Sequence, residues 1–187
     1  ASRRGLAYLQ RCQRADGSWV PLWFGNQDRP LEDNPIYGTG KVLLAYAALG
    51  NPNCREAQRG REYLRNSQNR DGGWGGGASL PSFFSEFSAG RGPAPAPAVR
   101  SSLEETAIAL EGLLECGGDP RQDATIMLGL EWLSRAVQRQ GINHATPIGF
   151  YFAKLWYYEQ LYPTVFSLSA LGTALRKLHQ ADCQPTA

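Results

Sequence analysis

Gly60-Arg-Glu-Tyr63-Leu64-Arg-Asn-Ser-Gln68-Asn-Arg-Asp71-Gly72-Gly73-Trp74 is the stretch that decides the fold. It reads as a short helix that stops at a Gly-rich turn and lands on a tryptophan. The same pattern stands earlier as Gly5-Leu-Ala-Tyr8-Leu9-Gln-Arg-Cys12-Gln13-Arg-Ala-Asp16-Gly17-Ser18-Trp19, with Gly, Tyr, Leu, Gln, Asp, Gly and Trp all in register. A third copy, Gly129-Leu-Glu-Trp132 through Gln138 to Gly141, keeps the helix and loses the Gly-Trp ending. Self-similarity at this spacing marks an array of supersecondary units, each stacking on the next.

Working outward, each repeat helix alternates with one of different character. Residues 2–13 form an amphipathic helix with Leu6 and Leu9 inward, stopped by Asp16-Gly17. Residues 37–49 are apolar on nearly every face, the signature of a helix buried among others. Residues 54–68 are polar and Arg-rich. Ser102-Leu-Glu-Glu105 opens the next apolar helix with a capping-box pattern, in which Ser and Glu side chains satisfy orphan backbone donors. That pattern accounts for Glu105 and makes Glu104–Glu105 a poor catalytic pair. Residues 122–138 are again an outer helix. Tyr151, Leu155, Tyr158 and Tyr162 then share one helical stripe, so a last inner helix is expected from Phe150 to Leu178, kinked at Pro163. The order outer, inner, outer, inner, outer, inner predicts an all-α fold: an α/α toroid of the α6–α6 barrel type. Residues 1–187 read as one partial toroid domain, about half a ring of three helical hairpins in inner and outer layers.

Composition excludes some functions. With 42% hydrophobic and 19% charged residues the chain is an ordinary globular one. Its net charge is +2, its basic residues are scattered and no nucleic-acid motif is present, so no nucleic-acid partner is expected. Cys12, Cys54, Cys116 and Cys183 lie far apart without metal-ligand spacing, which suggests a reducing, cytoplasmic compartment and no metal. His144 and His179 are single residues far apart in sequence. No apolar run reaches membrane-span length and no signal peptide is visible. The chain opens on Ala at a helix start, which suggests an excised fragment or processed chain. Phe83, Phe84 and Phe87 stand in a Gly/Ala/Pro/Ser-rich segment; they read as a loop tucked over the toroid rim, or as a lip in peripheral contact with a membrane.

The Gln…Gly-X-Trp repeats resemble the QW motifs of the triterpene cyclases, the squalene–hopene and oxidosqualene cyclase family. Trp23 followed by Tyr37-Gly-Thr-Gly, the Gly72-Gly-Trp74 turn, and Pro147-Ile-Gly-Phe-Tyr-Phe…Tyr158…Tyr162-Pro163 stand in that family's order and cover nearly the whole chain. The resemblance is to the C-terminal portion of a squalene–hopene-type cyclase. It implies a polyprene substrate such as squalene, folded in an apolar cavity and cyclised through carbocations, with no cofactor. It also implies the remainder of a cyclase chain as partner. The family's Asp-X-Asp-Asp acid motif is absent, since Asp16, Asp28, Asp33, Asp71, Asp119, Asp123 and Asp182 are all isolated. No catalytic residue is therefore assigned, and the chain is expected to be inactive alone.

The resemblance implies substrate-facing roles for Trp23, Tyr37, Tyr151 and Tyr158. Leu155 stands where hopene-forming enzymes carry another tyrosine. The chemistry agrees: aromatic faces stabilise a cation without a lone pair that would quench it, by about 2 kcal/mol or more when desolvated. Without the resemblance, such an aromatic stripe reads as core. Trp19 and Trp74 are expected to be structural instead, stacking on a neighbouring unit while Gln13 and Gln68 bond backbone at an adjacent helix end. The alternative function is a non-catalytic α-hairpin module that binds a hydrophobic ligand or a protein. Under either reading, exposed apolar inner helices predict self-association.

Overall fold

In the computed structural model, residues 2–26, 31–75, 101–140, 145–150 and 155–182 are described. They form six helices: α1 (Ser2–Cys12), α2 (Pro35–Ala48), α3 (Arg55–Asn66), α4 (Leu103–Glu115), α5 (Ala124–Gln140) and α6 (Tyr162–Asp182). Two short strands, β1 (Pro147–Phe150) and β2 (Leu155–Tyr158), precede α6.

The helices sort into the two layers. α4 is buried along nearly its whole length, packed between α2 on one side and α6 on the other. These three make the inner layer. α3 and α5 lie against it from outside, and α1 buries no residue at all. Small residues set the inner spacing. A Cβ at Gly40 would lie 2.4 Å from Ile108 Cγ2, and one at Gly112 would lie 3.1 Å from Gly40 Cα. α2 and α4 therefore approach closely at a point where any larger side chain would hold them apart.

Caps fix where the inner helices begin. Asn34 accepts a hydrogen bond from the Tyr37 N–H at 3.0 Å, and Pro35 occupies the first turn, where its missing N–H costs nothing. Ser102 accepts from the Glu105 N–H at 3.1 Å. The expected return half of that capping box is replaced. Glu105 instead accepts from the Ser102 hydroxyl at 2.9 Å and from Asn26 at 3.1 Å, and the Ser102 N–H donates to the Trp74 carbonyl at 2.9 Å.

One expectation is overturned. The last inner helix begins at Tyr162 and not at Phe150. β1 and β2 pair antiparallel, Pro147 opposite Tyr158 and Phe150 opposite Leu155. Leu155 and Tyr158 therefore share no helical stripe with Tyr162. The run is rich in aromatic residues, which suit strands as well as helices. Pro163 does not kink a helix either; it stands in the first turn of α6, where no intrahelical donor is needed.

Candidate functional site

The outer layer is tied by the repeats. Gln68 Nε2 donates to the Gly72 carbonyl inside its own turn and to the Thr125 carbonyl of α5, each at 2.8 Å. Gln13 Nε2 does the same to Gly17 and to Glu56 of α3, each at 2.9 Å. The turns reverse at Gly17 and Gly72, whose φ of 92° and 96° lie in the region that favours glycine. Each tryptophan then plunges inward. Trp74 donates its ring N–H to the Leu64 carbonyl at 2.7 Å, and its backbone N–H to Thr106 Oγ1 of α4 at 2.9 Å. Trp19 repeats both bonds with Leu9 at 2.7 Å and Thr39 of α2 at 3.0 Å. Each ring lies over the glycine that opens the next repeat. A Cβ at Gly60 would stand 2.7 Å from Trp19 Cζ3, and one at Gly129 2.7 Å from Trp74 Cζ3.

The inner face carries a different cluster. Tyr37 of α2 and Ile108 of α4 are its buried centre, with Phe24, Tyr157, Tyr162 and Phe166 packed against them. Phe24 lies 4.9 Å from Tyr37 between ring centroids, and Tyr162 lies 5.0 Å from Phe166. Tyr37 and Phe166 meet edge-on at 6.2 Å, so rings from the two flanking inner helices join across the middle one. Burial, aided by Tyr162 and Tyr157, pushes the Tyr37 hydroxyl up to about 12, which keeps it a neutral phenol. Burial likewise raises Tyr162. Such a surface offers ring faces to a cation.

Two charged groups border the cluster. The Lys41 ammonium stands 4.9 Å from the Phe166 centroid and 5.7 Å from that of Tyr37. Glu104 lies one turn before Ile108 on α4 and is buried. Its Oε1 accepts from the Thr146 N–H at 2.8 Å, at the foot of the hairpin, and its Oε2 has no partner. Burial raises its pKa, opposed by the Thr146 hydrogen bond. Cys116 is buried too, its thiol donating to the Leu43 carbonyl at 3.2 Å and pushed up to about 11 by desolvation, which makes it inert. Cys12 and Cys54 are also free thiols; Cys183 lies outside the described residues. Among the described residues no three His, Cys, Asp or Glu side chains gather as metal ligands.

Of the three substrate-facing candidates among the described residues, the structure brings only Tyr37 into this cluster. Trp23 is 52% and Tyr158 43% exposed, and Tyr151 lies outside the described residues, as do Phe83, Phe84, Phe87 and His144. Tyr157 packs on the cluster in place of its strand neighbour Tyr158, because successive strand residues face opposite ways. Phe24, Phe166 and Lys41 were not singled out by sequence. The available signal was helical register: Lys41 is one turn beyond Tyr37, and Phe166 one turn beyond Tyr162.

A family model described as the squalene–hopene cyclase C-terminal domain matches residues 1–176. A probable squalene–hopene cyclase of Sinorhizobium fredii is 32% identical over 173 residues, which is 87% of this chain and 24% of that protein. A squalene hopane cyclase of Aspergillus fumigatus is 37% identical over 128 residues, 65% of this chain and 15% of that protein. Among solved structures, the ent-copalyl diphosphate synthase of Streptomyces platensis matches with a TM-score of 0.52 and 22% identity. The match covers 94% of this chain and 28% of that one, a likeness of fold. The chain thus spans about a quarter of the length of the Sinorhizobium relative.

Proposed function

Because the chain belongs to the squalene–hopene cyclase C-terminal domain family, we propose that it is the C-terminal part of a terpene cyclase, lining an apolar cavity where a polyprene is cyclised through carbocations. The observation that carries this reading is the ring cluster of Phe24, Tyr37, Tyr157, Tyr162 and Phe166 on the inner layer. Burial holds the Tyr37 and Tyr162 hydroxyls above their ordinary range, so these two phenols take no proton from the substrate. Trp23, Tyr37, Tyr151 and Tyr158 face the substrate in this proposal, with Trp23 and Tyr158 extending the wall beyond the packed cluster. Residues 1–187 form one partial α/α-toroid domain.

The acid that starts the cascade is not supplied by this stretch, which contains no Asp-X-Asp-Asp. The rest of the cavity docks where the inner layer is open. Leu161, just before α6, and Val165, Leu168 and Leu175 on it are each more than half exposed and recur at helical spacing. No Cβ contact limits Gly172 between them. A stripe of this kind fits either the remainder of a cyclase chain or a second copy. The reading includes a cytoplasmic protein with peripheral membrane contact through the segment around Phe83; no described helix is long and apolar enough to cross a membrane.

The test is direct. Residues 1–187 alone leave squalene unchanged, and the natural protein, with any sequence beyond them retained, converts it to cyclic hydrocarbons. Turnover by residues 1–187 alone overturns the missing-acid part. In the active protein Tyr37→Leu lowers cyclisation by about tenfold, as expected where a ring is removed from the wall that shapes the substrate. A non-catalytic module, the second reading, is favoured only by the exposed α6 stripe. It gains if the natural protein binds polyprenes and never turns them over.

A further inference from the structure

The inner wall already holds a cation. Lys41 follows Tyr37 by one turn of α2, and its ammonium reaches across to the Phe166 ring of α6. Both ring centroids lie inside the ~6 Å at which an aromatic face attracts positive charge. Among the described residues no carboxylate forms an ion pair with this ammonium. The α4 carboxylates are engaged elsewhere: Glu111 with Ser169, Glu115 with Arg176, Glu105 with Asn26 and Ser102, and Glu104 with the Thr146 N–H. The faces of Tyr37 and Phe166 are thus occupied by a charge the protein itself supplies.

We propose that Lys41 determines product specificity: its fixed charge keeps a migrating carbocation away from the Tyr37–Phe166 faces and so limits how far the charge travels along the substrate. This rests on the polyprene-cyclising reading given above. Like charges a few ångström apart in a water-poor site repel by enough to shift populations about tenfold to a hundredfold. The rings themselves remain fit for a cation, since they hold one. Removing the ammonium frees them.

The experiment uses the natural protein, with any sequence beyond residues 1–187 retained, and three probes. These are a tertiary farnesyl amine, protonated at neutral pH, the neutral hydrocarbon of the same shape, and farnesyl diphosphate. Lys41→Met, which keeps an aliphatic stem, should bind the cationic amine about tenfold or more tighter while the neutral hydrocarbon is unchanged. Lys41→Arg should keep the wild-type preference. With squalene, Lys41→Met should shift product ratios and Lys41→Arg should not. Lys41→Gln serves as a second uncharged variant should Lys41→Met fold poorly, judged by its binding of the neutral probe. An unchanged amine-to-hydrocarbon ratio in both uncharged variants overturns the inference, as does Lys41→Arg behaving like Lys41→Met. Selective loss of the diphosphate overturns it in favour of an anionic head-group site. Failure of the wild type to bind the neutral hydrocarbon overturns the cyclase reading itself.

Discussion

The outer ties and the inner wall are built by opposite rules. The two Gly-Trp turns make the same four bonds, residue for residue, and each seats its tryptophan on the next repeat's glycine. The inner cluster repeats nothing. Its members come from the chain before α2, from α2, α4 and β2, and from the first turns of α6. The lesson is that identical bonds are needed wherever one hairpin is fastened to the next, whereas a surface shaped for one ligand must break the repeat.

The sharpest way to break the comparison is to remove a tie. Trp74 is fully buried and satisfied at both of its N–H groups. Trp74→Ala should cost about 3–5 kcal/mol through the cavity left by the indole and the loss of its bond to the Leu64 carbonyl, read as a fall in the denaturant midpoint. Tyr37→Leu, in the inner cluster, should cost clearly less stability while lowering cyclisation. If Tyr37→Leu destabilises as much as Trp74→Ala, the cluster is core and not wall.

The glycine seats come next. Ala at Gly129 would place its methyl 2.7 Å from Trp74 Cζ3 and 2.8 Å from Leu110 Cδ2. Overpacking of that kind should cost about 1–3 kcal/mol although Ala is the better helix former, and Gly60→Ala should behave alike under Trp19. A gain in melting temperature at either position would mean that the rings shift freely and that the repeat is not a tie.

What was legible follows the same division. Layer order and five of the six helices could be read because repeats and buried periodicity leave a pattern in single residues. Tyr37 could be singled out because Tyr37-Gly-Thr-Gly stands in the order of the family it resembles. Phe24, Lys41 and Phe166 could not, because helical register with Tyr37 and Tyr162 is the sole local signal for Lys41 and Phe166, and Phe24 has none. They matter through contacts between α2 and α6, which meet only after α4 has spaced them. The β hairpin was missed because aromatic residues at helical spacing and aromatic residues on paired strands look alike over so short a run. Only the partner strand separates them.

Glu104 sharpens the inner side. Burial raises its pKa, so the folded state holds the proton more tightly than the unfolded chain, whose value is near 4.5. Stability linked to this group is therefore present below about pH 4.5 and is lost as pH rises through the folded-state pKa. Glu104→Gln keeps an acceptor for the Thr146 N–H and removes the ionisation. It should be more stable than wild type at pH 7, with the gap closing by about pH 4. A gap that does not depend on pH would mean that Glu104 is solvated or that its free oxygen has a cationic partner.

The smallest expected effect separates the two rules most cleanly, because its sign carries the answer. Gly5 opens the first repeat as Gly60 and Gly129 open the others, yet nothing described lies within 4 Å of where its Cβ would be. In residues 1–187, Gly5→Ala should raise stability by about 0.5–1 kcal/mol, the ordinary helix-propensity gain inside α1. The same substitution in the natural protein tests whether this seat is filled by another turn. If a further Gly-Trp turn lies over Gly5 as Trp19 lies over Gly60, the gain becomes a cost, since the methyl would meet an indole ring. Thermal melts of both forms give the sign. A gain in both leaves α1 as the free edge of the outer layer; a reversal places a tryptophan over Gly5.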